Sequence, residues 1–181
     1  MKFKFNITLN EKDYLDYNVF SITKSPYGKK QMKSFRLTIG LLFAVVILMS
    51  LYGGSFSISA FLGVIPGLII ALLFQIFMPN IMAFSINWAI KKQKTSGKMG
   101  FSPISTLEFD DEVFIEITPD NKTETKYPTI ERISIVNKKV IYIHVNNVAS
   151  YILPFSCFET KEQYDEFIKF IGSKCSVIEH Y

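Results

Sequence analysis

Apolar and polar positions follow three different rhythms along this chain, and each predicts a different kind of element. From Lys2 to Leu9 the alternation is strict. Phe3, Phe5, Ile7 and Leu9 fall on one side, and Lys2, Lys4, Asn6 and Thr8 on the other. That is the two-residue period of a strand with one buried face. Asn10 then reads as a helix N-cap, with Glu11 and Asp13 at the positive end of the helix dipole. Leu9 and Tyr14 stand at the spacing of a hydrophobic staple, and Leu15, Val19 and Ile22 form the expected apolar face. Ser25-Pro26-Tyr27-Gly28 is expected to stop this helix.

The pattern then loses its polar half. No Asp, Glu, Lys, Arg or His occurs from Leu37 to Ile90. A membrane helix needs about 20 apolar residues for a hydrocarbon core about 30 Å thick, so this run holds two crossings. The predicted spans cover residues 35–52 and 56–78, joined by a tight turn at Gly53-Gly54-Ser55. Pro79 cannot donate the helical hydrogen bond and is expected to kink or end the second span. Two readings of residues 80–90 follow. One is an interfacial helix with Ile81, Phe84 and Trp88 on one face and Trp88 at headgroup level. The other is the end of a single tilted, over-long span. Gly63, Gly67 and Ala71 recur every four residues and would let another helix approach closely, either the first span at Gly40 or Ala44 or a second copy of the chain. Gln75 is the one strongly polar side chain in mid-span and reads as interhelical glue.

Past a basic linker at 91–100 the two-residue period returns. TLEFDDEVFIEIT offers two strands around Asp110-Asp111, and Pro119-Asp120-Asn121 is a turn. Asn137-Lys138 is a hairpin turn between Ile133-Ser134-Ile135 and Val140-Ile141-Tyr142-Ile143, and Asn146-Asn147 is another before Ala149 to Leu153. About six short strands at this spacing predict an antiparallel sheet or small barrel. The strand at residues 3–9 is expected to join that sheet across the hairpin. A helix closes the domain. Thr160 and Gln163 have capping-box spacing, Tyr164, Phe167, Ile168 and Ile171 make one apolar stripe, and Gly172 is expected to end it. The fold class is therefore α+β: a two-helix membrane hairpin plus a small antiparallel sheet domain with a C-terminal helix. The divisions are 1–34 (strand and helix), 35–90 (hairpin), 91–100 (linker) and 101–175 (sheet and helix).

Charge sharpens this picture. Residues 1–36 carry eight Lys/Arg against three Asp/Glu, and Lys91, Lys92, Lys94 and Lys98 follow the apolar run, whereas residues 99–181 carry eight basic and thirteen acidic side chains. Basic residues flank both outer ends of the hairpin and none lies in its turn, so the positive-inside rule places both termini in the cytoplasm of a multi-pass cell-membrane protein. Lys29, Lys30, Lys33, Arg36, Trp88, Lys91 and Lys92 form the expected membrane interface. Such a distribution suits anionic lipid headgroups and argues against nucleic acid, which wants basic residues spread over a folded face. The first apolar segment begins only at residue 37, after Glu11, Asp13 and Asp16, which is not the form of a signal peptide.

Candidate chemistry is thin. Cys157 and Cys175 form no CxxC and no Cys/His cluster, so neither zinc nor another cofactor is expected, and both thiols are expected to be reduced. His144 sits in a predicted strand opposite Ile141 and Ile143, as a solvated or edge side chain, and His180 near the terminus is expected to be disordered. Asp110-Asp111 and Asp165-Glu166 read as a turn and a solvated helix face. A hydrolase would need His144 brought to Ser156 or Cys157, with no local motif in support.

The order of these features resembles the YcxB-like family of small bacterial membrane proteins. The N-terminal strand, the acidic helix start EKDY, the hairpin with its basic exit, Tyr142 in a strand, then ILPFSCF and TKEQYDEFIKFI, carry the resemblance over nearly the whole chain. It implies a membrane-anchored cytoplasmic sheet-plus-helix domain similar to pleckstrin-homology-like (PH-like) modules, with no catalytic residue and no defined ligand. The expectation is a non-enzymatic protein of the bacterial inner membrane whose domain binds a protein partner or lipid headgroups, with homo-oligomerisation open. Self-immunity against a toxin or bacteriocin is the alternative.

Overall fold

A computed structural model of the chain describes residues 2–52, 58–95, 101–146 and 149–181, without the side chains of 50–52, 58–64 and 94. The expected turn at Gly53-Gly54-Ser55, the first two residues of the second span, residues 96–100 of the linker and Asn147 lie outside the described residues. The chain divides into two units, one made of residues 1–17 and 99–181 and the other of residues 18–98.

The first unit is an α+β domain that the chain leaves and re-enters. Strand β1 (Phe3–Thr8) pairs antiparallel with β2 (Ile104–Phe109), in the register Phe3↔Phe109 and Phe5↔Leu107. The pairing expected across the hairpin is therefore present. β3 (Val113–Ile117) and β4 (Lys122–Lys126) complete a four-stranded sheet in the order β1-β2-β3-β4. The second sheet has the order β7-β6-β5-β8, from β5 (Arg132–Val136), β6 (Val140–His144), β7 (Ser150–Pro154) and β8 (Ile178–His180). Asn137 and Lys138 turn the β5–β6 hairpin with φ of 50° and 53°, the left-handed region that such turns require.

The periodicity explains the core. Phe5, Ile7, Leu107, Phe109 and Phe114 of the first sheet and Ile133, Ile135, Ile141, Ile143 and Leu153 of the second share one hydrophobic cluster with Phe167 and Ile171 of the closing helix α4 (Lys161–Lys174). Phe167 meets the rings of Phe3, Phe5, Phe109 and Phe158 at centroid distances of 4.9–5.7 Å. The α4 cap forms as its spacing predicts, with Thr160 Oγ1 accepting from Gln163 N–H at 3.1 Å. Gln163 reaches back one residue further than the cap, accepting from Glu159 N–H at 2.8 Å.

Two expectations at the C-terminus change. Gly172 lies inside α4, which runs on to Lys174. His180 is not disordered: β8 pairs in parallel with β5, with Ile135 opposite His180. Three residues are too few for a period to show in the sequence.

Helix α1 (Glu11–Thr23) begins as expected, with Asn10 Oδ1 accepting from the N–H of Lys12 and Asp13 while Asp13 Oδ2 accepts from Asn10 N–H. Its buried residues are Tyr17 and Phe20, whereas Leu15, Val19 and Ile22 are only half-buried.

The second unit is dominated by α2 (Pro26–Tyr52) and α3 (Ile58–Thr95). Ser25-Pro26 ends one helix and starts the next. Ser25 Oγ accepts from Gly28 N–H at 2.9 Å, and Pro26 takes the first helical position, where its missing N–H costs nothing. Thus α2 starts nine residues before the predicted span, and the basic residues 29–36 are helical. Pro79 does not end α3, which is helical through both Pro66 and Pro79 to Thr95. At 1.5 Å per residue its 38 residues reach about 57 Å, nearly twice the thickness of a hydrocarbon core. Residues 26–49 and 65–93 are each long and apolar enough to cross a membrane, and only 6% of either window is buried.

Candidate functional site

In the second unit α2 and α3 pack together, with Gln75 of α3 level with the end of the basic segment of α2. Gln75 Nε2 on α3 donates to the main-chain oxygen of Arg36 on α2 at 3.0 Å. Arg36 is the last cation before the apolar run of α2, and Gln75 stands one turn before Pro79 on α3. Gln75 is thus the expected glue, and it binds backbone rather than a side chain. A Cβ on Gly40 or Gly67 would meet no atom within 4 Å, so neither glycine marks a tight crossing of these two helices. Ala71 is half-buried, and Gly63 lies where side-chain surroundings are not described.

Lys29, Lys33 and Arg36 occupy one face of α2 at i, i+4 and i+7. With Thr23, Met32 and Pro79 they line a pocket of ≈ 230 Å³. Lys30, Lys91 and Lys92 are exposed outside it. Past Pro79, α3 presents Ile81, Phe84 and Trp88 on one exposed face, with Lys92 Nζ 5.3 Å from the Trp88 ring centre. Residues 18–98 contain nine lysines and arginines and no Asp or Glu.

The first unit holds a buried polar chain. Tyr17 Oη donates to Ser150 Oγ at 2.9 Å, Ser150 Oγ lies 2.7 Å from His144 Nδ1, and His144 Nε2 lies 3.0 Å from Ser134 Oγ. His144 is 2% exposed and Ser134 is fully buried. Burial, and secondarily the Arg132 charge, hold the imidazole pKa down to about 4, so the ring is neutral at pH 7. A neutral ring has one N–H. One ring nitrogen therefore donates to its serine and the other accepts, and each serine hydroxyl, with one proton and two lone pairs, fits either role. The Tyr142 ring packs edge-on against Tyr17 at 5.2 Å and against His144 at 6.3 Å. These bonds tie Tyr17 to the outer face of the second sheet.

Residues 109–171 match the family model for YcxB-like proteins. That stretch is YcxB-like. The match runs from the end of β2 into α4, just over a third of the chain, and all of it lies in the first unit. No curated protein and no solved structure matches the chain.

Within the YcxB-like stretch, the expected solvated His144 is instead enclosed. β6 is covered on both faces, because α1 lays Tyr17 over the side opposite the isoleucines. Its two ring nitrogens engage Ser134 and Ser150, neither of which is the Ser156 or Cys157 that a hydrolase reading would require. Burial pushes the Cys157 thiol up to about 12, far from the thiolate that nucleophilic attack needs. Both cysteines are free, and among the described residues no group of His, Cys, Asp and Glu could hold a metal. Ser134, Tyr142, His144 and Ser150 alternate with apolar residues on neighbouring strands. That common outward face, beside a helix with its own Tyr at 17, was the available sign of the buried chain.

Proposed function

We propose that this is a non-enzymatic protein of the bacterial inner membrane. Helices α2 and α3 cross the bilayer as a hairpin, and the α+β domain stands in the cytoplasm to bind a protein partner or lipid headgroups. The observation that carries this reading is the β1–β2 ladder. Six residue pairs join a strand before the hairpin to a strand after it. One sheet cannot form from strands on opposite sides of a bilayer, so the ladder supports a chain that enters and returns on the same side. Sequence charge supports the same orientation through the positive-inside rule. Exposure supports the crossing itself: Leu41, Leu42, Ile70 and Leu72 are each 60–63% exposed on helices that carry no charge there. An apolar surface of that extent belongs in lipid or against another helix.

Two sheets closed by a C-terminal helix fit the PH-like reading of the domain. Among the described residues β1, β4, β7 and β8 end the two sheets, and β4 and β7 offer five-residue edges of the geometry that strand addition by a partner uses. The test is photo-crosslinking in cells from single unnatural residues at Lys122 and Glu124 of β4, followed by partner identification. A discrete crosslinked protein supports partner binding. Crosslinks to lipid alone move the reading to headgroups, and a chain released from membranes by alkaline carbonate ends it.

A further inference from the structure

We infer that the pocket between α2 and α3 is a binding site for a phosphate group, carried by an anionic phospholipid whose acyl chain lies along the hairpin. The inference rests on the membrane reading of α2 and α3. Three cations, Lys29, Lys33 and Arg36, line one pocket of ≈ 230 Å³ on a single helical face. Like charges at i,i+3 and i,i+4 repel and destabilise a helix. A bound anion removes that repulsion, and a guanidinium with two ammonium groups supplies the charge-assisted donors that phosphate oxygens accept.

The other walls narrow the ligand. Met32 and Pro79 are apolar. Thr23 already gives its hydroxyl proton to Val19 O at 2.6 Å, so the cations are left as the donors. Proline also deprives α3 of an N–H at that level, so recognition there falls to α2. The Gln75–Arg36 bond sets the pocket at the height where α2 turns apolar. Below it, Leu37 and Leu41 of α2 and Ile76 and Leu73 of α3 are 48–67% exposed, a surface for acyl chain. Phospholipid phosphates sit at this depth. Free phosphate shares the headgroup chemistry but has no use for the apolar surface beneath.

The test uses the full chain in detergent micelles, titrated with phosphatidylglycerol and read by native mass spectrometry. One saturable lipid per chain is expected. Phosphatidylcholine, whose choline offsets its phosphate charge, should bind at least about tenfold more weakly. The triple variant K29Q/K33Q/R36Q should weaken phosphatidylglycerol by about tenfold or more, while K24Q/K91Q/K92Q, which removes the same charge elsewhere, should cost about threefold or less. Inorganic phosphate forms a second arm. If it displaces the lipid at millimolar concentration and binds alone, the pocket takes free phosphate as well as headgroups. Equal losses in the two triple variants, or no saturable binding of either probe, overturn the site. Carbonate extraction of wild-type membranes separates the two levels. A chain that stays with the membrane but binds neither probe sinks the pocket alone, and a released chain sinks the hairpin beneath it.

Discussion

Replacing Phe5 by Ala should cripple a domain whose next strand begins almost a hundred residues later. Phe5 is 1% exposed and sits in β1, opposite Leu107 of β2. Its ring lies 4.8 Å from Phe158, 5.0 Å from Phe167 and 5.9 Å from Phe109. Removing a fully buried ring costs about 3–5 kcal/mol, the sum of lost transfer energy and the cavity left behind. Domains of this size are stable by about 5–15 kcal/mol, so the variant forfeits a large share of what holds it. Lys4, one residue away, is the control. It faces the opposite side of the strand, half-exposed, and pairs with Glu108 at 2.9 Å, so Lys4→Ala should cost about 1 kcal/mol or less. The single tryptophan, Trp88, lies in the hairpin and does not report on the domain. Pulse proteolysis of the detergent-purified chain across a urea series does. If Phe5→Ala shifts stability by less than about 1 kcal/mol, or no more than Lys4→Ala, β1 does not belong to this core.

Other consequences are equally direct. The His144 ring is neutral when folded, with a pKa of about 4, against about 6.5 in the unfolded chain. Between those values only the unfolded state takes up the proton. The contribution of His144 is therefore intact above pH 6.5 and falls away toward pH 4 by on the order of 3 kcal/mol. Urea midpoints of wild type should drop over this window more steeply than those of His144→Asn, and parallel slopes would contradict the buried chain. A Cβ at Gly28 would sit 2.1 Å from Ser21 O and 2.4 Å from Ile22 O, both backbone atoms. Gly28→Ala should thus cost about 1–3 kcal/mol by forcing the α1–α2 corner apart, and an unchanged thermal melt by circular dichroism would contradict that geometry. Lys138 holds φ of 53°, which glycine adopts without penalty, so Lys138→Gly should stabilise the domain by about 0.4–1 kcal/mol in the same urea assay. A loss would mean that the turn is built differently.

Much of this architecture is written in periodicity. Phe3, Phe5 and Ile7 declare a strand that needs a partner, and the other predicted strands lie beyond the hairpin, so pairing across it was legible although its partner, β2, was not. The caps at Asn10 and Thr160 were equally plain, because capping depends on residues three apart. What the pattern concealed depends on contacts rather than spacing. The two faces of β6 look alike to an alternation rule, and only the arrival of Tyr17 decides that His144 is buried rather than wet. Pro79 was expected to kink or end the second span, and α3 continues through it to Thr95, so residues 80–90 are helical as read but are not set off by a break. Lys29, Lys33 and Arg36 were legible as one helical face, but their convergence with Pro79 on one pocket depends on how α2 and α3 pack, which no spacing announces.

The most direct measurement is the accessibility of single cysteines to a membrane-impermeant maleimide in intact cells, with Cys157 and Cys175 replaced by serine. Ser55→Cys should label from outside. Lys12→Cys and Lys161→Cys, before and after the hairpin, should label only once the membrane is opened. Labelling of either from outside while the other stays protected would place β1 and β2 on opposite sides of the bilayer, and the shared sheet could not exist.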